Sequence, residues 1–418
     1  MRPIGLKRGY RTPFVKMGKE FAALNAVDLS VRLIDAMLAR TEVPAETIQH
    51  IIWGMVVPDP NIYSIAREVV LASRLDNRVE AYSISRACAT SLQAAANAVS
   101  YYNAFPEEPT VSLVGGVESF SAARPVLTDL ASRCFKTLAS KAPLSEKIQA
   151  LFRTPPKAFW PVPPSAKEYS TGLTMGEHCE LMVKNFKIPR QRQDQFALAS
   201  HQRALKARGK ITSQLIPVEG VARDTLIRED TSMEALAALP AVFDRSAAGT
   251  ITAGNASPFT DGAAALHVIS PVLESTIPPD AVLVDFEFVA VEPMDGLLMG
   301  PGKAMLRILA RQRLRWSDLD YIEMHEAFAG QVLCNVDAVN SPLHREKIYG
   351  ISYNAGTLDE TKLNPWGSSI AYGHPFGATG ARMLNQAIAY LHDTKAKRAL
   401  LGICTAGGLA GSALLERR

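Results

Sequence analysis

The stretch VEAYSISRACATSLQAAANAVSYY, residues 79–102, decides the fold class. Val79–Ile84 reads as a short strand, Ser85-Arg86-Ala87-Cys88 as a turn, and the Ala-rich run from Thr90 as a helix, since Ala is the best helix former. Upstream, Val27–Arg40 repeats apolar residues at helical spacing, Ile48–Val57 reads as a buried strand stopped by Pro58, and Ile65–Leu75 reads as a helix. Downstream, Val111–Val114 predicts a strand that runs straight into Gly115-Gly116. Strands alternating with helices in this way predict an α/β protein rather than an all-α or all-β one.

That rhythm weakens between about Ala123 and Pro189. Pro155, Pro156, Pro161, Pro163 and Pro164 fall there, and proline fits neither helix interiors nor central strands. A loop-rich insert is expected, followed by a helix over Gln191–Arg208 and a strand-like ITSQLIPV, residues 211–218. The alternation returns near Ala281. Helices are predicted over Gly302–Arg313 and after Gly377, and strands over Leu319–Met324 and Ala399–Ile403. A chain of 418 residues exceeds one ordinary core, so two core units carrying an insert are the natural division.

Composition narrows the function classes. With 47% hydrophobic and 21% charged residues the chain is globular, and a net charge of +4 is too mild to imply nucleic acid. The charge is uneven. Arg133–Arg228 holds 17 Lys/Arg against 7 Asp/Glu, which suits either an anionic ligand or an ordinary solvated face. Five widely spaced cysteines form neither a disulfide framework nor a metal motif, so no metal is expected. The start, MRPIGLKRGYRTPF, has no apolar run of the secretory kind, and no apolar stretch reaches membrane-spanning length. A cytoplasmic setting is expected.

Four residues at expected strand-to-turn junctions could carry chemistry. Cys88 precedes a helix, whose N-terminal N–H groups lower a thiol pKa and stabilise an oxyanion. His374, in AYGHPFGATGAR, is held by Pro375 between flexible glycines. Cys404 ends a strand that breaks into GICTAGGLAG, which has no GK[ST] of a P-loop, and His325 opens HEAFAG. Any one of these reads equally well as a packing residue. Together they suit an enzyme needing a nucleophile, a base and a separate acid. His50, His201, His267, His344 and His392 sit in ordinary helix, strand or loop contexts and read as structural or surface residues.

The whole chain resembles the thiolases, and among them the long-chain 3-ketoacyl-CoA thiolase beta subunits of fatty-acid oxidation multienzyme complexes. The markers are RTPF at Arg11, SRACATSLQA around Cys88, LVGGVES at Leu113 and TAGNASPFTDGAAAL at Thr252. HEAFAG at His325, NPWGSSIAYGHPFGATGAR at Asn364 and CTAGGLAG at Cys404 follow in order. The resemblance implies two similar βαβαβαβ halves in a five-layered α-β-α-β-α core. The halves would span residues 1–275 and 276–418, with a loop domain inserted at about 124–245.

It also implies roles. Cys88 would attack the 3-keto carbonyl, His374 would take its proton, Cys404 would protonate the departing enolate, and His325 would help hold an oxyanion where many thiolases have Asn. A second oxyanion hole would use the N–H groups of Cys88 and Ala406. Ser257 would touch the coenzyme A pantetheine, and Phe328 and Met175 would line the acyl tunnel. Coenzyme A would be a co-substrate met by the basic insert, with no tightly bound cofactor. Expected partners are a second copy of the chain, as a homodimer or dimer of dimers, and a hydratase/dehydrogenase alpha subunit. The amphipathic RCFKTLASKAPLSEKIQALFR, residues 133–153, could dock on that subunit, on a membrane, or on its own body. Acetyl-CoA C-acetyltransferase, running the condensation, is the alternative activity. Ala410 departs from the glycine usual after the second cysteine, which predicts a shifted turn or a one-residue slip.

Overall fold

The computed structural model describes residues 1–163 and 167–418; Pro164 lies outside the described residues. Its spine is one sheet. The first part of the chain gives β1 (Ile4–Lys7), β2 (Val15–Lys16), β3 (Ile48–Gly54), β4 (Glu80–Ile84), β5 (Val111–Glu118) and β6 (Thr260–Ile269). The second gives β7 (Ala281–Ala290), β8 (Tyr321–Met324), β9 (Arg398–Cys404) and β10 (Leu409–Arg417). The order is β4-β3-β5-β6-β1-β7-β10-β9-β8, with β2 beside β6.

Outward from the central antiparallel β1–β7 pair, the two sides repeat one pattern. β6 and then β5 join antiparallel on one side, as β10 and then β9 do on the other. A parallel strand follows on each, β3 and β8. The first side ends in β4. The second ends in a single parallel bridge between Ile322 and Leu363. The chain is thus an α/β protein of two similar halves.

The longer helices are α1 (Ala26–Leu38), α2 (Ile65–Ala72), α3 (Thr90–Ala104), α4 (Asp129–Ala139), α5 (Leu144–Arg153), α6 (Met175–Phe186) and α7 (Arg190–Thr212). The second half adds α8 (Gly300–Gln312), α9 (Ala329–Asn340) and α10 (Thr379–Asp393). Three buried clusters account for the layering. One joins α1 and α2 to the first side of the sheet. A second surrounds α3 and α10 in the middle. The third joins α8 and α9 to the second side. The burial of most of α10, and of the apolar majority of α3, follows from their central position.

Several expectations need correction. Residues 211–218 do not form a strand: α7 runs to Thr212, and only Leu215 and Val218 make isolated bridges. The reason is that, apart from the local Val218–Val221 turn, this segment pairs along the backbone only with Arg11 among the described residues, through Gln214 and Ile216. Residues 133–153 fall in two helices, α4 and α5, separated at Pro143; α5 buries none of its residues. Between β5 and β6 the described residues contain helices and irregular chain but no strand. Ala410, the departure noted in the sequence, lies inside β10 rather than in the turn. It pairs with Cys404 in a regular β9–β10 register, and its methyl faces Gly300, where an added Cβ would come within 2.5 Å of it. No helix among the described residues is long and apolar enough to cross a membrane.

The halves touch at backbone distance. A Cβ on Gly116 would lie 2.3 Å from the Gly377 carbonyl oxygen, and one on Gly377 would lie 2.4 Å from that of Val117. Neither neighbour is a flexible side chain, so the backbone itself would have to move. Gly377→Ala is therefore expected to cost about 1–3 kcal/mol, as overpacking does. Denaturant unfolding checks this, and a midpoint equal to that of the parent would refute it.

Candidate active site

Local chain geometry places each group. Cys88 follows Ala87, whose φ is +43°, so the nucleophile candidate sits at the crest of a tight turn into α3. The Thr90 hydroxyl staples that turn: it donates to the Ala87 carbonyl (2.7 Å) and accepts the Arg86 N–H (2.8 Å). His325 emerges directly from β8, and its N–H bonds the Gly402 carbonyl at 2.8 Å. Cys404 is the last residue of β9. His374 corrects the reading in one respect. It lies between the helical turns Ser369–Tyr372 and Phe376–Ala378 rather than at a strand end. The Thr260 hydroxyl holds its N–H at 3.0 Å, reaching across from the first half.

These segments converge. The ligating atoms of Cys88, His325 and His374 all lie within 4.8 Å of one another. The two imidazole centroids are 4.1 Å apart, and both Nε2 atoms are buried without a protein partner. The backbone N–H groups of Ala406 and of Cys88 itself favour the thiolate form of Cys88. Cys404 ends β9 two residues beyond Gly402, whose carbonyl takes the His325 N–H.

The ring of His374 has a defined orientation. Its Nδ1 meets the Thr379 hydroxyl at 2.7 Å, and that hydroxyl donates to the Pro375 carbonyl at 2.9 Å. A hydroxyl with its one proton committed must accept, so Nδ1 carries the hydrogen and Nε2 presents a lone pair. A neutral imidazole so arranged is a base aimed at a thiol.

Burial sets the resting protonation. Desolvation pushes the Cys88 thiol up to about 12, against the pull of the two N–H groups, and pushes Cys404 well above its ordinary value. It lowers His374 to about 3, with Arg382 contributing, and takes His325 well below its ordinary range. The site therefore rests as neutral thiols and neutral imidazoles. Charge appears only as reaction begins, where fixed donors stabilise it most.

The structure also brings in the other residues singled out in the sequence. The Ser257 N–H bonds the Ala327 carbonyl (2.9 Å), so Ser257 and Phe328 flank the His325 loop. Phe328 meets Phe243 edge-on at 5.8 Å. Phe243 also covers Gly176, next to Met175 at the start of α6. The insert itself reaches the cysteine loop, since Glu168 accepts the Gly407 N–H at 2.8 Å.

Sequence reasoning missed the supports. Glu118, fully buried, accepts N–H bonds from Val56, Val57 and Gly377 and so ties the His374 turn to the first half. Glu326 gathers Ser200, Asn364 and Ile370. Arg382 and Glu323 pair out of contact with solvent. A signal existed for the last two: each is a lone charge inside an otherwise apolar element, YIEM and ARMLNQAIAYL.

The likeness to known proteins extends over nearly the whole chain. Residues 6–271 match the family described as "Thiolase, N-terminal domain", and residues 277–417 match "Thiolase, C-terminal domain". The chain is 37% identical to a 3-ketoacyl-CoA thiolase of Escherichia coli over 423 aligned positions, covering 99% of this chain and 96% of that protein. A 3-ketoacyl-CoA thiolase of Klebsiella pneumoniae matches with the same identity and coverage. Among solved structures, the Bacillus anthracis acetyl-CoA acetyltransferase superposes with a TM-score of 0.82 at 26% identity, covering 100% of this chain and 99% of that one. Human mitochondrial 3-ketoacyl-CoA thiolase superposes with 0.81 at 27% identity, with the same coverage.

The buried imidazoles have a consequence for stability. His374 and His267 are lowered to about 3 and His201 to about 4, chiefly by burial, from 6.5. The unfolded chain protonates these rings below pH 6.5 while the folded chain does not, so unfolding takes up protons. Their contribution is complete above pH 6.5 and is lost as the pH falls toward 4. Each ring accounts for up to about 1.4 kcal/mol per pH unit in that window. Denaturant midpoints measured from pH 7.5 down to pH 4.5 should fall steadily; a flat profile would contradict the neutral, buried state.

Proposed function

The chain belongs to the thiolase family, and from that premise we propose that it is a degradative 3-ketoacyl-CoA thiolase of fatty-acid β-oxidation. It is an acyltransferase, and its chemistry is the CoA-dependent cleavage and condensation of acyl-CoA thioesters, with coenzyme A as co-substrate. The degradative direction is supported by the likeness to 3-ketoacyl-CoA thiolases over nearly the full length. One observation carries the assignment of roles: the Cys88 sulfur and the lone-pair-bearing Nε2 of His374 come together beside His325.

The steps follow from that geometry. His374 Nε2 takes the Cys88 proton, and the thiolate attacks the 3-keto carbon. His325, at the same point, is placed to hold the oxygen as it becomes negative. The bond between C2 and C3 then breaks, leaving the acyl group on Cys88. Cys404 gives its proton to the enolate of acetyl-CoA, which departs. Free CoA passes its thiol proton to the Cys404 thiolate and attacks the acyl–cysteine. We assign the N–H groups of Cys88 and Ala406, which favour the Cys88 thiolate, to receive the thioester oxygen in this half-reaction. Cys88 leaves as thiolate, recovers its proton from His374, and an acyl-CoA two carbons shorter is released. We place Ser257 against the pantetheine, and Phe328 and Met175 along the acyl chain.

The remaining assignments rest on surfaces. We take residues 1–275 and 276–418 as the two domains, with the loop domain at about 124–245. The cations of α7 are largely engaged: Arg190 with Asp194, Arg192 with Asp337 and Glu360, Arg208 with Glu229, and Lys210 with Asp393. Arg133, Lys136, Arg153 and Lys157 are exposed instead, which favours the α4–α5 region for the CoA phosphates. The same hairpin exposes Phe135, Leu144, Leu151 and Phe152, with Trp160 beside it, a face suited to an alpha subunit. At the sheet edge β4 is largely exposed, and a second copy pairing there would complete a homodimer next to the Cys88 turn. Five free cysteines fit a reducing, cytoplasmic setting.

The test is CoA-dependent cleavage of 3-ketoacyl-CoAs of graded chain length by the purified protein, followed by loss of the Mg²⁺–enolate absorbance. Long substrates are expected to turn over and Cys88→Ala to abolish turnover. His374→Ala should lower kcat by about 10²–10⁴-fold, the usual worth of a positioned base. Activity confined to acetoacetyl-CoA would replace this reading with the acetyltransferase, and full activity in Cys88→Ala would overturn the mechanism.

A further inference from the structure

His325 could present either a lone pair or an N–H to the reacting point, and only an N–H can hold an oxyanion. Its Nδ1 lies 2.9 Å from the Ser369 hydroxyl. That hydroxyl also accepts an N–H from Arg382 at 3.1 Å. Its one proton meets a single acceptor among the described residues, His325 Nδ1. A ring whose Nδ1 accepts must carry its hydrogen on Nε2.

The chain continues inward. Arg382 pairs with Glu323, and both are removed from solvent. Glu323 also accepts from Tyr321 and, at 2.7 Å, from the Ser368 hydroxyl. Arg382 donates to Ser368 as well, at 3.1 Å, so its fork spans the two serines. Gln386 braces Tyr321 at 3.1 Å. Both Glu323 oxygens are occupied. A guanidinium has no acceptor atom, so Ser369 cannot donate to it and must turn its proton toward His325.

We infer that the buried Arg382–Glu323 pair, acting through Ser369, is a positioning device that fixes His325 in the tautomer presenting Nε2–H to the reacting oxygen. This rests on the placing of His325 beside that oxygen. The two neighbouring imidazoles then hold opposite tautomers: Thr379 makes His374 a base, and Ser369 makes His325 a donor. With both rings in one tautomer, two lone pairs would face each other at the site and the first oxyanion would lose its donor.

Deleting Arg382 would strand the Glu323 charge in the interior and threaten the fold, so the test variant is Ser369→Ala. The full-length protein, labelled with ¹⁵N-histidine, should show His325 with a protonated Nε2 and a bare Nδ1; its resonances are those lost in His325→Asn. Ser369→Ala should mix the tautomers and lower kcat about tenfold, below the loss from deleting a whole oxyanion donor, with KM little changed. In a His325→Asn background the same substitution should cost less than about twofold, because an amide always offers an N–H. A protonated Nδ1 on His325, or an equal penalty in both backgrounds, would overturn the proposal. The expected tautomer with kcat unmoved by Ser369→Ala would overturn its catalytic half. Loss of turnover in Cys88→Ala would leave the nucleophile standing in any of these cases.

Discussion

Everything at the site depends on the two halves meeting at backbone contact. Cys88 belongs to the first half, and His325, His374 and Cys404 to the second. Gly377 against Val117, and Gly380 against the Leu92 nitrogen of α3, leave no room for even one methyl group. Across this seam run the few polar bonds that fix direction. Glu118 receives Gly377, the Thr260 hydroxyl receives His374, and Ser91 receives the Ala381 N–H. Apolar burial around α3 and α10 supplies the attraction. The glycines set how far it can go, and the polar bonds set the rotation.

Within that seam the reacting groups are kept uncharged. A thiol raised by burial and an imidazole lowered by it form a poor acid and a poor base in isolation. The donors aimed at them act selectively on the charged forms that arise during reaction, and this difference is what accelerates a step. A solvated site would hold more thiolate at rest, yet would gain less from the same donors.

The sequence made the chemistry legible better than the scaffold. Cys88, His325, His374 and Cys404 sit beside proline, glycine or helix starts, and such local signals survive without tertiary information. The strand pattern was legible where β-branched residues dominate, as in β3 and β5. It failed for β6, TDGAAALHVI, and β10, LAGSALLER, whose Ala and Leu favour helix in isolation. Both lie inside the sheet, β6 buried throughout and β10 over its middle, and pairing on two sides overrides their propensity. ITSQLIPV failed in the opposite direction, being rich in β-formers but lacking a strand to pair with. Glu118, Thr379, Ser369, Arg382 and Glu323 act mainly through partners brought close by the fold, up to 259 residues away, a relation that no local pattern encodes.

The repeated order of strands has one more meaning. In each half, a helix leads into the strand that lies second from the central pair: α3 into β5, and α10 into β9. Cys88 stands just ahead of α3 and His374 just ahead of α10, so nucleophile and base occupy one address in two copies of a single plan. Their separation is therefore a gauge of how the copies are aligned, like the paired marks of a vernier. A slight slide along the α3–α10 contact would leave every strand paired and every core filled, and would still pull the marks apart. Faults in that contact announce themselves first as a slower enzyme and only later as an unfolded one.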